Sequence, residues 1–143
     1  MGVQQPSPEV PRLSPQEERN LSMVAHLSVL LHLALPLLAL AVPAVLYFAY
    51  RERSKEVAFH SLQALLFQAL TVVAGGALAA LFWGLTGALL SLLIGLLCVP
   101  FALFFSALPV VAVVYGIIGA LEVYQGRPFH YPFAAACAEN LLA

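Results

Sequence analysis

The side chains with chemical potential in this sequence are few, and most lie in apolar surroundings: His26, Ser28, His32, His60, Gln63, Gln68, Thr71 and Glu122. Polar groups at membrane depth are the natural place to look for a substrate, ion or cofactor site. At about 100° per residue, His60, Gln63, Phe67 and Thr71 share one face of a helix, with Gln68 at its edge. Such a stripe serves either as interhelical hydrogen-bonding glue or as a binding site. His26 and His32 are six residues apart and point to different faces, so an unbroken helix cannot offer both to one metal. No metal site and no cofactor is predicted. A haem or chlorophyll-type pigment needs only one histidine per face, which keeps His26, His32 and His60 as candidate ligands.

No catalytic constellation accompanies these residues. The chain has no Asp, no HExxH, no Gly-x-Ser-x-Gly and no phosphate-binding glycine loop. Ser61 beside His60 is a neighbour in sequence, and helical neighbours point apart. No catalytic residue is assigned, and the chain reads as a non-enzyme.

The elements that must position these groups follow from composition. The 143 residues are 62% hydrophobic and 9% charged, and the mean hydropathy is +0.95. A soluble domain usually carries about a quarter of its residues as charges. Here the charges cluster in the first twenty residues, in Arg51–Glu56 and near the end, with none between Glu56 and Glu122. That gap is long enough for more than one span. It lacks the alternation of a barrel, so the spans are helices. The net charge of −1 points away from nucleic acid, and two cysteines make no disulfide framework.

The reading along the chain is as follows. Residues 1–13 form a short disordered tail, and residues 14–143 a single helical transmembrane domain. Ser14-Pro15-Gln16-Glu17 starts a helix, with Ser14 as cap and Glu17 returning a bond to it. One tilted span covers Leu21 to Tyr50, kinked by Pro36 and Pro43. A second runs from Val57 to Trp83, and Trp83–Gly87 turns at an interface. Leu85–Val99 and Ala102–Tyr124 then complete a small bundle of four transmembrane helices. The alternative is three spans, with two longer helices meeting near Ser91–Gly95. Three spans place Arg51, Arg53, Lys55 and Arg127 opposite Arg12 and Arg19, as the positive-inside rule prefers. Four put three cations on each side. Small residues four apart, such as Gly75 and Ala79, Gly76 and Ala80, Gly87 with Ser91 and Gly95, and Ala112 with Gly116 and Ala120, favour close helix packing.

Three segments carry a resemblance: His26-Leu27-Ser28, His60 through Gln68 with its His-x-x-Gln-Ala core, and Gly126-Arg127-Pro128-Phe129-His130-Tyr131-Pro132. Together they resemble the bacterial family called domain of unknown function 4870, which is similar to Tic-twenty type subunits of the chloroplast protein translocon. The resemblance marks Gly126, Tyr131 and Pro132 as motif positions. It implies four helices and a role near protein translocation, and it carries over no catalytic residue.

The leading expectation is a small non-enzymatic multi-pass protein of the cell's inner membrane. It would sit in the lipid bilayer and pack against other membrane helices as an accessory, assembly or translocation subunit. Two alternatives stand beside it: a His-using, cofactor-associated subunit of an electron-transfer or photosynthetic complex, and a small oligomeric channel or transporter.

Overall fold

A computed structural model of the chain describes residues 12–143, except the side chains at positions 36 and 37. Helices joined by short turns make up these residues, and no strand occurs among them. The expected tail of residues 1–13 lies outside the described residues apart from its last two.

Helix α1 (Pro15–Leu27) begins where the capping signature stands. Ser14 Oγ accepts from the Glu17 backbone N–H at 3.3 Å, and the Glu17 carboxylate accepts from the Ser14 backbone N–H at 2.8 Å. The reciprocal pair satisfies two otherwise free donors of the first turn. α1 continues as a 3-10 segment, Ser28–Leu33.

The main departure from expectation comes next. Leu21–Tyr50 is not one kinked span. It breaks at Ala34–Leu35 and folds back as α2 (Pro36–Tyr50). Leu35 has φ −138° and ψ 80°, the extended backbone into which a following proline drives its neighbour. Pro36 then opens α2, where its missing N–H would lack a partner anyway. Pro43 stays inside α2 without ending it. The break leaves its own donors satisfied: the N–H groups of Ala34 and Leu35 reach Leu31 O, and those of Leu38 and Ala39 reach Leu35 O. Backbone at membrane depth requires such internal pairing. Fold-back brings the end of α2 to the start of α1, where Ser54 Oγ donates to the Glu18 carboxylate at 2.6 Å.

Helix α3 (Lys55–Gln68), a π-helical segment (Ala69–Ala74) and α4 (Gly75–Leu89) run on as one apolar helix, Lys55–Leu92, of 38 residues. Its antiparallel return, Ile94–Tyr124, has 31 residues and contains α5 (Val99–Tyr124). At about 1.5 Å per residue these measure roughly 57 and 46 Å, and both exceed the ~30 Å hydrocarbon core.

The expected turn at Trp83–Gly87 does not form. Gly84 and Gly87 have nothing within 4 Å of an added Cβ, so no neighbour forces a bend. The Trp83 indole N–H donates to Ser106 Oγ on α5 at 3.1 Å. The chain reverses instead at Leu93, with φ 59°. Gly95 permits this, because a Cβ there would lie 2.5 Å from the Thr86 carbonyl oxygen. Leu85–Val99 is therefore not a separate span; its residues divide between the two long helices. The reversal falls where the three-span alternative put it. Among the described residues two helices are long and apolar enough to cross a membrane, and the shorter hairpin α1–α2 packs beside them.

α5 ends at Gly126, φ 74°. There the Arg127 N–H reaches Glu122 O and the Gly126 N–H reaches Val123 O, a pairing that closes the last turn through a left-handed residue. The chain then descends through Phe129–Tyr131 and returns as α6 (Ala134–Leu142) against α3. Ala25, Val29, Ala64, Phe67, Ala112, Tyr131 and Ala134 form the core at this end. Close approach of α1 and α5 depends on Gly116, where a Cβ would stand 2.5 Å from Val29 Cγ1 and 3.0 Å from the His26 carbonyl.

Candidate functional site

The structure gathers most of the polar residues singled out in the sequence into one buried cluster between α1, α3 and the descending segment. His26, Gln63 and Gln68 are fully enclosed, and His60, Ser28 and Thr71 nearly so. The stripe on α3 thus faces inward.

Gln63 fixes the chemistry of the cluster. Its Oε1 accepts from the backbone N–H of Tyr131 at 3.2 Å, and its Nε2 donates to the carbonyl of Phe129 at 3.0 Å. One amide side chain therefore pairs with the descending segment as a strand neighbour would. These two bonds set the orientation of the amide. The second N–H on Nε2 then points at His60 Nδ1, 2.8 Å away, so this ring nitrogen is the acceptor. Neutral His60 carries its proton on Nε2, which faces the Glu56 carboxylate at 3.1 Å. His26 Nε2 lies 3.2 Å from the same His60 Nδ1 and, as the more distant donor, shares that nitrogen's one lone pair with Gln63 in a three-centre bond. That leaves His26 Nδ1 to accept from the Tyr131 hydroxyl at 3.0 Å. The assignment comes from network logic. All donors in the chain Tyr131–His26–His60–Glu56 point toward the charged rim.

Tyr131 is the largest of the fully enclosed side chains. Its ring stacks on Phe67 at 4.1 Å between centroids and 16° between planes. Of the other motif positions, Gly126 caps α5 and Pro132 is exposed. The next residue, Phe133, takes φ 64°, a strained value for a bulky residue, and projects outward.

Gln68, Ser28 and Thr71 belong to the cluster but bond outside the network of Gln63 and the two histidines, whereas Glu122 and His32 lie away from it. Gln68 Nε2 donates to Ser28 Oγ at 3.0 Å, and that hydroxyl donates to the Ala25 carbonyl at 2.7 Å. Thr71 bonds back to the Phe67 carbonyl. Glu122 lies at the end of α5 and pairs with Arg127, one bond measuring 2.8 Å. His32 points away from the cluster toward a cleft of about 190 Å³ lined by Leu33, Val72, Pro109, Val110 and Val113. Its Nδ1 contacts the Val29 carbonyl, and its Nε2 is buried without a partner.

This geometry bears on ligand chemistry. Both ring nitrogens of His26 and of His60 are engaged within the protein, so neither offers a free one to a pigment. The His32 cleft is below the ~300 Å³ at which ligand pockets begin. Among the described residues no three metal-ligating side chains converge. Sequence reasoning passed over three contributors. Phe129 takes part only through its backbone carbonyl. Glu56 read as part of a charged loop, and Tyr131 as a motif position without a role. The i,i+4 spacing of Glu56 and His60 was the available signal.

A family model described as the magnetosome magnetite crystal formation protein family, MamF and MmsF, matches residues 17–137. This overturns the resemblance to the domain of unknown function 4870 and the Tic-twenty subunits. The two main segments that carried it, around Gln63 and Tyr131, hold each other through Gln63; they record a packing arrangement and identify no translocon. No curated protein and no solved structure matches the chain.

Proposed function

The chain belongs to the MamF and MmsF family of magnetosome magnetite crystal formation proteins, and we propose that it acts in crystal formation as a non-enzymatic, multi-pass component of the magnetosome membrane. The long apolar hairpin and the shorter hairpin of α1 and α2 would enter from the same side to unequal depths, in contact with other membrane helices.

The observation that carries this reading is the gathering of charge at one end. Ser54 bonds Glu18, and the Arg19 guanidinium lies against Gly126. Glu18, Arg19, Glu56 and Arg127 line one cleft. Fold-back at Leu35 thus puts all six Lys and Arg of the chain on one face. The three-and-three division expected for four spans came from counting Leu21–Tyr50 as a single pass. Six cations against none orient that face toward the cytoplasm. From Val57 to Leu121 the chain has no charged residue, so the opposite face, where a membrane-enclosed crystal lies, presents no carboxylate from the long hairpin. The chain therefore influences the crystal through the membrane or through partner helices, without carboxylates on the mineral.

The test is deletion and complementation in a magnetite-forming host, with magnetic isolation of the organelles. We expect the tagged chain in the isolated membranes and crystals of altered size on deletion. Exclusion from those membranes together with unchanged crystals would contradict the proposal. The buried cluster is read as structural glue for the C-terminal segment. This favours neither a pigment-bearing subunit nor a channel, because past Thr71 the buried residues of the hairpin are apolar (Ala79, Ala102), and Thr86 bonds its own helix.

A further inference from the structure

The two ends of the molecule differ in cross-section. At the depth of His60 to Phe67, helices α1, α2, α3 and α5 pack with the descending segment and α6. Toward the tip, α4 packs on α5 and on the short turns of its own hairpin. Phe82 stacks on Phe101 and Phe105 there. The apolar part of the first hairpin's descending arm, Leu21–Leu33, extends only about 20 Å at the helical rise per residue. A charged collar of Glu18, Arg19, Glu56 and Arg127 holds the wide end at the interface, since charges are costly in the hydrocarbon core. The core is about 30 Å thick, so the first hairpin, the descending segment and α6 crowd the nearer leaflet. The far side of the other leaflet holds two helices alone. Their outward residues, among them Leu78, Leu81, Phe101 and Phe104, are apolar except for Ser91 and Ser106, and suit lipid.

We propose that this chain is a membrane wedge whose partner is a strongly curved lipid bilayer, convex on the charged face. In such a bilayer the leaflet on the convex side is expanded, and the wide end fills area that lipid headgroups would otherwise leave open. The opposite leaflet is compressed, and a two-helix cross-section displaces little of it. The inference rests on the reading that the long hairpin crosses the bilayer. With the charged face cytoplasmic, the favoured sense of bending is that of a closed vesicle lying in the cytoplasm.

The experiment uses the full chain with Cys98→Ala, Cys137→Ala and Glu52→Cys, reconstituted into giant vesicles of phosphatidylcholine and phosphatidylglycerol. The Glu52 side chain is 81% exposed, so a membrane-impermeant dye on that position marks only molecules with the charged face outward. Tubes are then pulled from the vesicles. The ratio of protein to lipid fluorescence in the tube, relative to the flat membrane, is expected to exceed one and to rise as the tube narrows. Adding Gly84→Leu and Gly87→Leu thickens the narrow end at positions with open space around them, and is expected to move the ratio back toward one. A ratio of one or below at every radius, in protein that resists carbonate extraction, would overturn the wedge and leave the spanning reading intact. The same holds for a double variant that sorts like the parent. Extraction of the chain by carbonate would overturn the spanning reading itself.

Discussion

The charged end and the apolar tip of this protein are held together by different physics. Around His60 and Gln63, an amide and two imidazoles specify where the C-terminal segment lies, and each buried polar atom of that network has a stated partner. Beyond Leu78 the hairpin relies on aromatic stacking, the Trp83–Ser106 bond and the tight seat of Gly95. In lipid, apolar side chains gain little by leaving the solvent, so packing and hydrogen bonds must supply specificity. The first region has both and encloses a unique arrangement. The second has mainly packing, and most of its surface is left to lipid.

Glycines break this comparison open most sharply. Gly116→Leu drives a side chain into Val29 and the His26 carbonyl. We expect a loss on the order of 3 kcal/mol, read as a lower thermal midpoint in detergent. Gly84→Leu at the tip meets nothing and should leave the midpoint in place or raise it slightly, since glycine is a poor helix former. Equal effects at the two positions would erase the distinction.

Gln63→Leu comes next. It leaves the Phe129 carbonyl and the Tyr131 N–H unpaired, at a cost of about 2 kcal/mol. Hydrogen exchange should accelerate in residues 128–142 and stay unchanged in α4. Tyr131→Phe keeps the stack on Phe67 and removes only the bond to His26, so its cost should be about 1 kcal/mol, with the same regional pattern. The smallest effect concerns pH at the start of α1. The bond from the Ser14 backbone, then that from its hydroxyl, holds the Glu17 carboxyl below its ordinary value of 4.5. A carboxyl lowered on folding contributes fully above that ordinary value and loses its contribution as pH falls through the lowered one. Amide exchange in the first turn of α1 should therefore quicken, relative to its intrinsic rate, on acidification. Ser14→Ala, which keeps the backbone bond and removes the hydroxyl one, should weaken that dependence, and Glu17→Gln should abolish it.

Helical class, membrane character and the capped start at Pro15 could be read from residue type and period. That His60, Gln63 and Thr71 share a helix face could be read as well, but the burial of that face against α1 and the descending segment could not. The first hairpin could not. A proline after a long apolar run signals a kink as readily as a reversal, and the choice is made by long-range contacts such as Ser54 with Glu18. The tip was obscured for the opposite reason. Trp83-Gly84 and Thr86-Gly87 look like turn residues, yet in lipid an unbroken helix satisfies their backbone groups. The true reversal sits in Leu92-Leu93-Ile94, marked only by Gly95. In the buried cluster, histidines invited a ligand reading because their partners come from 34 and 105 residues away, distances that no local pattern reveals.

The central claim is that the first apolar segment folds back, so that both its ends lie on the cytoplasmic face. Single cysteines at Gln16→Cys and Glu52→Cys, each in a Cys98→Ala, Cys137→Ala background, test it directly. An impermeant thiol reagent applied to inside-out and right-side-out vesicles should label both positions in the inside-out preparation only. Labelling of the two positions from opposite sides would show a single crossing between them and contradict the account.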